Sequence, residues 1–345
     1  MPIQLQALML ALVLSLALTP VVRWLARRAG AVARPVERSV HKVPVPHLGG
    51  VAIYLAFAAS LILNGGWELQ NVQGILLGGL VILLVGVVDD LRNLRPGVKL
   101  LGQVAAAVVL VAFGLRIGWV TNPLGGLLVL GYMSIPLTVF WVISFVNIVN
   151  LIDGLDGLAA GISTIAALVL LIMALRADQA PSVVLMAAAL TGSALGFLPF
   201  NFNPAKIFMG DGGAMFLGFT LAALSVEGLL KSTLALALII PVVVLGVPVL
   251  DTALAIHRRW RRGLPVSGAD RDHLHHRLLR LGFSHREAVL AMYGVTAWLG
   301  LGALAMVEAT LPQAFLILSF SGVFLYLGAR RVGILDLKEG KELKR

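Results

Sequence analysis

Long apolar runs recur from one end of this chain to the other, and short polar stretches punctuate them. About 20 predominantly apolar residues are enough for a helix to cross the ~30 Å hydrocarbon core of a bilayer. Eleven segments qualify, at about 4–24, 48–65, 72–88, 99–116, 127–148, 157–176, 181–199, 212–230, 233–256, 288–307 and 312–329. The pattern predicts an all-α polytopic membrane protein of about eleven transmembrane helices. No internal repeat is evident, and no separate soluble domain fits between the spans. Residues 1–330 read as one integral-membrane unit and residues 331–345 as a basic tail.

Charge orients the spans. Of the 27 Lys and Arg, 24 fall in the odd-numbered loops and the C-terminal segment, and only Arg116, Arg176 and Lys231 lie opposite. The positive-inside bias places the odd loops and the C-terminus in the cytoplasm and the N-terminus outside. The net charge of +10 is thereby a matter of orientation and does not call for nucleic acid. Composition agrees: 13% of residues are charged, against about 25% in a soluble domain. Apolar runs recur to the end, so a signal peptide does not account for them. There is no cysteine, which excludes disulfides and thiolate chemistry.

The predicted cytoplasmic face also collects the unusual polar residues. Residues 145–161 read FVNIVNLIDGLDGLAAG, with Asn147, Asn150, Asp153 and Asp156 every third residue between two apolar runs. An ionised carboxylate taken out of water costs several kcal/mol unless it is paired or binds a cation, and acids at the end of a membrane span are functional candidates. Carboxylate and amide oxygens suit Mg²⁺ or Mn²⁺ better than zinc. One such Asp is explained equally well as a helix cap; four polar residues together are not. Asp89 and Asp90 end the third span, and adjacent carboxylates repel unless a cation is near. Asp211 stands in GDGG at the start of the eighth span, where exposed backbone N–H groups are expected to bind phosphate. Phe208 could stack on a base, with Asn201 and Asn203 as amide partners. His273, His275 and His276 lie in an Arg-rich loop beside Arg277; their spacing is not that of a helical zinc pair, and anionic oxygens suit them better. His41 and Lys42, in the Pro-stiffened first loop, hold phosphate or merely follow the positive-inside bias. Asp251, inside the ninth span, has no evident role. A cation site beside phosphate-binding donors at a membrane face suggests phosphoryl transfer, with a lipid as acceptor or product.

Five segments, HKVPVPHLGG, GVVDDLRNLRPGVKLLGQ, NIVNLIDGLDGLAAG, FNFNPAKIFMGDGGAMFLG and DRDHLHHRLLRLGFSHREAV, resemble in order and spacing the polyprenyl-phosphate N-acetylhexosamine-1-phosphate transferases, glycosyltransferase family 4. The resemblance covers nearly the whole chain. It implies transfer of a sugar 1-phosphate from a UDP-sugar to a polyprenyl phosphate at the cytoplasmic face of the bacterial inner membrane, with release of UMP. It assigns Asp89 and Asp90 to acceptor binding and activation, with Asp89 a candidate base. Lys99 falls near the phosphates, Asn150 and Asp211 at magnesium, and Asp153 and Asp156 in the catalytic acidic motif. Asn201 and Phe208 fall near uracil, and His273, His275 and His276 near sugar and diphosphate. The reading His-Leu-His-His-Arg is similar to the UDP-N-acetylglucosamine branch, which uses undecaprenyl phosphate, and a homodimer follows by analogy. Ala33, Ser39, His47 and Ala214 depart from the family pattern and bear on the donor.

Two other classes fit less well. CDP-alcohol phosphatidyltransferases carry Ala-Arg after their first Asp-Gly, and here Leu-Asp-Gly follows Asp153-Gly154. An ion-coupled transporter wants acids at mid-membrane in repeat-related broken helices, whereas these acids cluster at one surface.

Overall fold

The computed structural model describes residues 1–33, 44–121, 126–177, 179–229, 239–261, 263, 273–307 and 309–331. His41, Lys42 and nearly all of the basic tail lie outside them. The described residues form thirteen α-helices: α1 (Ile3–Arg28), α2 (Gly49–Leu63), α3 (Gln70–Arg92), α4 (Pro96–Ala112), α5 (Ser134–Ile152), α6 (Leu158–Arg176), α7 (Pro181–Asn201), α8 (Gly210–Leu229), α9 (Ile239–Val244), α10 (Gly246–Arg261), α11 (Leu274–Arg280), α12 (His285–Met306) and α13 (Leu311–Arg331). Two short antiparallel pairs, Val32–Ala33 with Val45–Pro46 and Trp119–Thr121 with Leu127–Val129, are confined to loops.

Ten of the eleven expected spans each coincide with one helix. Among the described residues seven helices are long and apolar enough to cross a membrane: α1, α3, α5 with its preceding turn, α6, α7, α12 and α13. The second and fourth spans form apolar helices of only 15 and 17 residues. The fifth starts at Ser134 rather than 127, because 127–129 pair in the hairpin. The ninth is not one helix. Its described part breaks at Leu245, between Pro241 and Pro248 and beside Gly246, where missing N–H donors interrupt the hydrogen-bond ladder.

Local chemistry sets the ends. Pro96 and Pro181 open α4 and α7 at their first turn, where the missing N–H is harmless. Ser284 and Glu287 form a capping box on α12: Ser284 Oγ accepts from Glu287 N at 3.3 Å, and Glu287 Oε2 accepts from Ser284 N at 2.8 Å.

The bundle is built from close approaches. Gly192 and Gly196 on α7 face the Leu8 and Leu12 carbonyls of α1 so tightly that a Cβ at either would overlap them, a small-residue interface of the kind that lets membrane helices touch. Ser15 Oγ donates to the Ser193 carbonyl across the same contact at 2.7 Å. Helix α8 is buried among α3, α5, α2 and α6, which carries its first turn into the middle of the polar cluster described next.

Candidate active site

The end of α3, the first turn of α4, the end of α5 and the first turn of α8 meet at one end of the bundle. Lys99 sits at their centre. Its ammonium pairs with Asp89 Oδ2 at 2.8 Å, donates to Asn150 Oδ1 at 3.2 Å and is hydrogen-bonded to Asp211 Oδ2. Asn150 turns its Nδ2 to Asp211 Oδ1 at 3.1 Å. Asp89, Lys99, Asn150 and Asp211, four residues from four helices, thus close one network. One turn deeper, Gln103 and Asn147 exchange amide hydrogen bonds (Asn147 Nδ2 to Gln103 Oε1, 2.8 Å). Gln103 is buried. It ends the segment GVVDDLRNLRPGVKLLGQ, and its place four residues after Lys99, on the same face of α4, is the signal that marks it.

Asp90 takes a different part. Its carboxylate accepts from the backbone N–H of Asp211 at 2.9 Å and of Gly212 at 3.4 Å. It therefore caps α8 from α3, neutralising orphan amides at the positive end of the helix. The expectation that these N–H groups hold phosphate is corrected: Asp90 holds them. The glycines make this possible. A Cβ on Gly210, which has φ +71°, would strike Asp90, and one on Gly86 would overlap Gly212. The other flank of the turn is a short backbone seam. Phe208 N donates to the Pro46 carbonyl at 2.8 Å, Gly49 N to Phe208 O at 2.9 Å and Gly50 N to Met209 O at 2.8 Å. The seam brings His47 beside Asp90 and Asp211. Burial lowers the pKa of His47 against the pull of those neighbours.

Asp153 ends α5 next to this cluster. Burial, with repulsion from Asp211, Asp90 and Asp156, pushes its carboxyl up to about 8. Asp156, three residues on, faces the other way across the Gly154 turn. Its Oδ2 accepts from Asn203 Nδ2 and Ala205 N, both at 3.0 Å, and its N–H donates to His285 Nε2 at 2.9 Å. Asn201 is buried and spent structurally, its Oδ1 accepting from Gly157 N at 3.1 Å and its Nδ2 donating to Ile207 O at 3.0 Å. Tyr293 O–H donates to the Gly157 carbonyl. Asp156 and Asn201 therefore brace the 201–207 loop that carries Phe208.

The histidines close the site from α11. His275 is buried, and a Cβ on Gly154 would come 2.5 Å from its Nε2. Burial and the neighbouring His276 lower its pKa to about 3, so the ring is neutral near pH 7. His273 stacks on His275 (centroids 5.7 Å apart, 6° between planes), His276 leans on it at 4.2 Å, and Arg277 follows on the same helix, half-buried. Asp251, the acid without an evident role, accepts from the backbone N–H of Leu274 at 2.9 Å and contacts His273 Nδ1 at 3.0 Å.

The carboxylates of Asp89, Asp153 and Asp211 and the amide of Asn150 offer hard oxygen donors, a set that suits Mg²⁺ or Mn²⁺ better than zinc. Among the described residues no three acids or histidines form a preformed metal cage, and the Lys99 ammonium fills the centre instead.

The fold and site define a polytopic helical membrane protein with a cluster of acids and amides at one end of its helix bundle. The chain belongs to glycosyl transferase family 4: residues 72–229 match that family, and relatives match far beyond it. It is 37% identical over 333 residues to "Probable undecaprenyl-phosphate N-acetylglucosaminyl 1-phosphate transferase" of Bacillus subtilis (strain 168), covering 96% of this chain and 93% of that one. It is 39% identical over 311 residues to "Decaprenyl-phosphate N-acetylglucosaminephosphotransferase" of Mycobacterium tuberculosis (strain ATCC 25618 / H37Rv), covering 82% and 76%. It is 26% identical over 317 residues to "Undecaprenyl-phosphate alpha-N-acetylglucosaminyl 1-phosphate transferase" of Escherichia coli O157:H7, covering 89% and 85%.

Proposed function

We propose that this chain transfers N-acetylglucosamine 1-phosphate from UDP-GlcNAc to undecaprenyl phosphate at the cytoplasmic face of the bacterial inner membrane, releasing UMP and starting a cell-envelope polysaccharide. The observation that carries the reading is the convergence of Asp89, Lys99, Asn150 and Asp211 at one end of the bundle, in a chain whose relatives are named for this transfer. In the reaction an oxygen of the lipid phosphate attacks the sugar-linked phosphorus of the donor. The bond to the bridging oxygen breaks, and UMP leaves. Lys99 offers a positive centre to the phosphates, and Asp89, paired with it, orients or deprotonates the acceptor. His273, His275, His276 and Arg277 offer ring and guanidinium nitrogens to the donor, and Phe208 stands on the braced loop for the base. Mg²⁺, or Mn²⁺ in its place, held by Asp211 and Asn150, would neutralise charge on the diphosphate. A homodimer is part of the same reading.

The test is UMP release by purified protein in detergent with undecaprenyl phosphate, Mg²⁺ and, separately, UDP-GlcNAc, UDP-GalNAc or UDP-MurNAc-pentapeptide. Release with UDP-GlcNAc that stops in excess EDTA is expected. Release only with another donor would move the specificity, and activity unaffected by EDTA would remove the cation.

A further inference from the structure

Asp251 belongs to none of the motifs that mark the site, yet it holds the one that closes it. It lies on α10, is 4% exposed, and both carboxylate oxygens are engaged. Oδ1 accepts the N–H of Leu274, the first residue of α11, and Oδ2 faces His273 Nδ1. Burying a carboxylate is costly unless its lone pairs are satisfied. Among the described residues the satisfaction comes from the start of the histidine helix, 22 and 23 residues further on. A carboxylate at Nδ1 requires a proton there, so it selects the ring tautomer and fixes the ring plane. The fixed plane is the one on which His275 stacks, and His275 in turn lies over Gly154, beside Asp153. A chain of contacts therefore runs from α10 through two imidazoles to the acidic turn.

We infer that Asp251 is a positioning residue for the transfer reaction: it sets the tautomer and plane of His273 and, through the ring stack, holds His275 and His276 over the Asp153–Gly154 turn. The inference rests on the proposed transfer, but its first test needs no substrate. In full-length protein carrying ¹⁵N-labelled histidine, with His273 assigned by loss of its signal in His273→Asn, the His273 ring should show a protonated Nδ1 at pH 7.5. A ring protonated at Nε2 alone would overturn the inference whether or not transfer is observed.

The second test reads activity. Asp251→Asn keeps the side-chain size and can still accept from Leu274 N, but it presents an NH₂ group or a weaker acceptor to Nδ1. Expected are a drop in kcat of about 10–100-fold, little change in KM for undecaprenyl phosphate, a shifted pH–rate profile, and partial recovery in Asp251→Glu. Because Asp251 acts through His273, the double variant Asp251→Asn/His273→Asn should be no slower than the slower single variant. Multiplying losses in the cycle would overturn the coupling. If Asp251→Asn fails to fold, the same cycle run with Asp251→Glu decides by the same criterion.

Discussion

At the scale of single residues, the two neighbouring acids of α3 do different work, and substitution should separate them. Asp89→Asn and Asp211→Asn remove charge around Lys99, and an amide oxygen at 89 can still accept from Leu94 N, as Asp89 Oδ1 does at 2.7 Å. Transfer should fall by about 10²–10³-fold or more while the melting midpoint in detergent stays near that of the parent. Asp90→Asn should also inactivate, but with a loss of about 1 kcal/mol of stability, because one of the two α8 amides then faces an NH₂ group. Transfer near that of the parent in all three variants would refute the site. His275 supplies a pH signature. Its folded pKa, about 3, lies below the ordinary value of 6.5, so the unfolded chain binds the extra proton between those values. The stability this ring contributes is present above pH 6.5 and is lost as pH falls toward 3. His275→Gln should therefore flatten the decline in melting temperature between pH 7 and 5. Most of these residues were legible from sequence because polar groups in apolar surroundings announce themselves. Their partners were not. Asp153 and Asp156 look equivalent at a spacing of three, but the Gly154 turn breaks the helical period and sends Asp156 to the 203–205 loop. Asp251 was opaque because its meaning lies 22 residues downstream.

At the scale of elements, the site depends on how closely α2 and α3 approach the first turn of α8. Gly50 and Gly86 contact the backbone of Gly213 and Gly212, and a Cβ at either meets main chain rather than a side chain that could rotate away. Gly50→Ala and Gly86→Ala should each cost about 1–3 kcal/mol and most of the transfer activity, since the Gly-Asp-Gly-Gly turn must shift. Gly228→Ala, on the same α8 but with nothing within 4 Å, should leave both unchanged. Thermal melts and UMP release on the three variants check this. Apolar run length located the helices well, because a bilayer demands it. It could not see the break at Leu245, since hydropathy averages over residues and is indifferent to a missing N–H, nor that residues 127–129 pair as a hairpin strand.

At the scale of the whole molecule, the 24-to-3 division of basic residues predicts a cytoplasmic C-terminus and an external N-terminus. A reporter fused to the C-terminus that is active only in the periplasm would overturn this, and with it the side on which the donor is met. The site itself carries a consequence for biosynthesis. Asp90 and the amide it caps are 121 residues apart. At ribosomal speeds of about 5–20 residues per second, on the order of ten seconds separate their emergence. Throughout that interval Asp89 and Asp90 are already inserted and lack the α8 partner that will hold them. An acid at mid-bilayer would cost about 2.5–3.5 kcal/mol for that whole interval, whereas one at the water boundary can remain hydrated until α8 arrives. The position of the acids at helix ends thus serves the nascent chain as well as the finished protein.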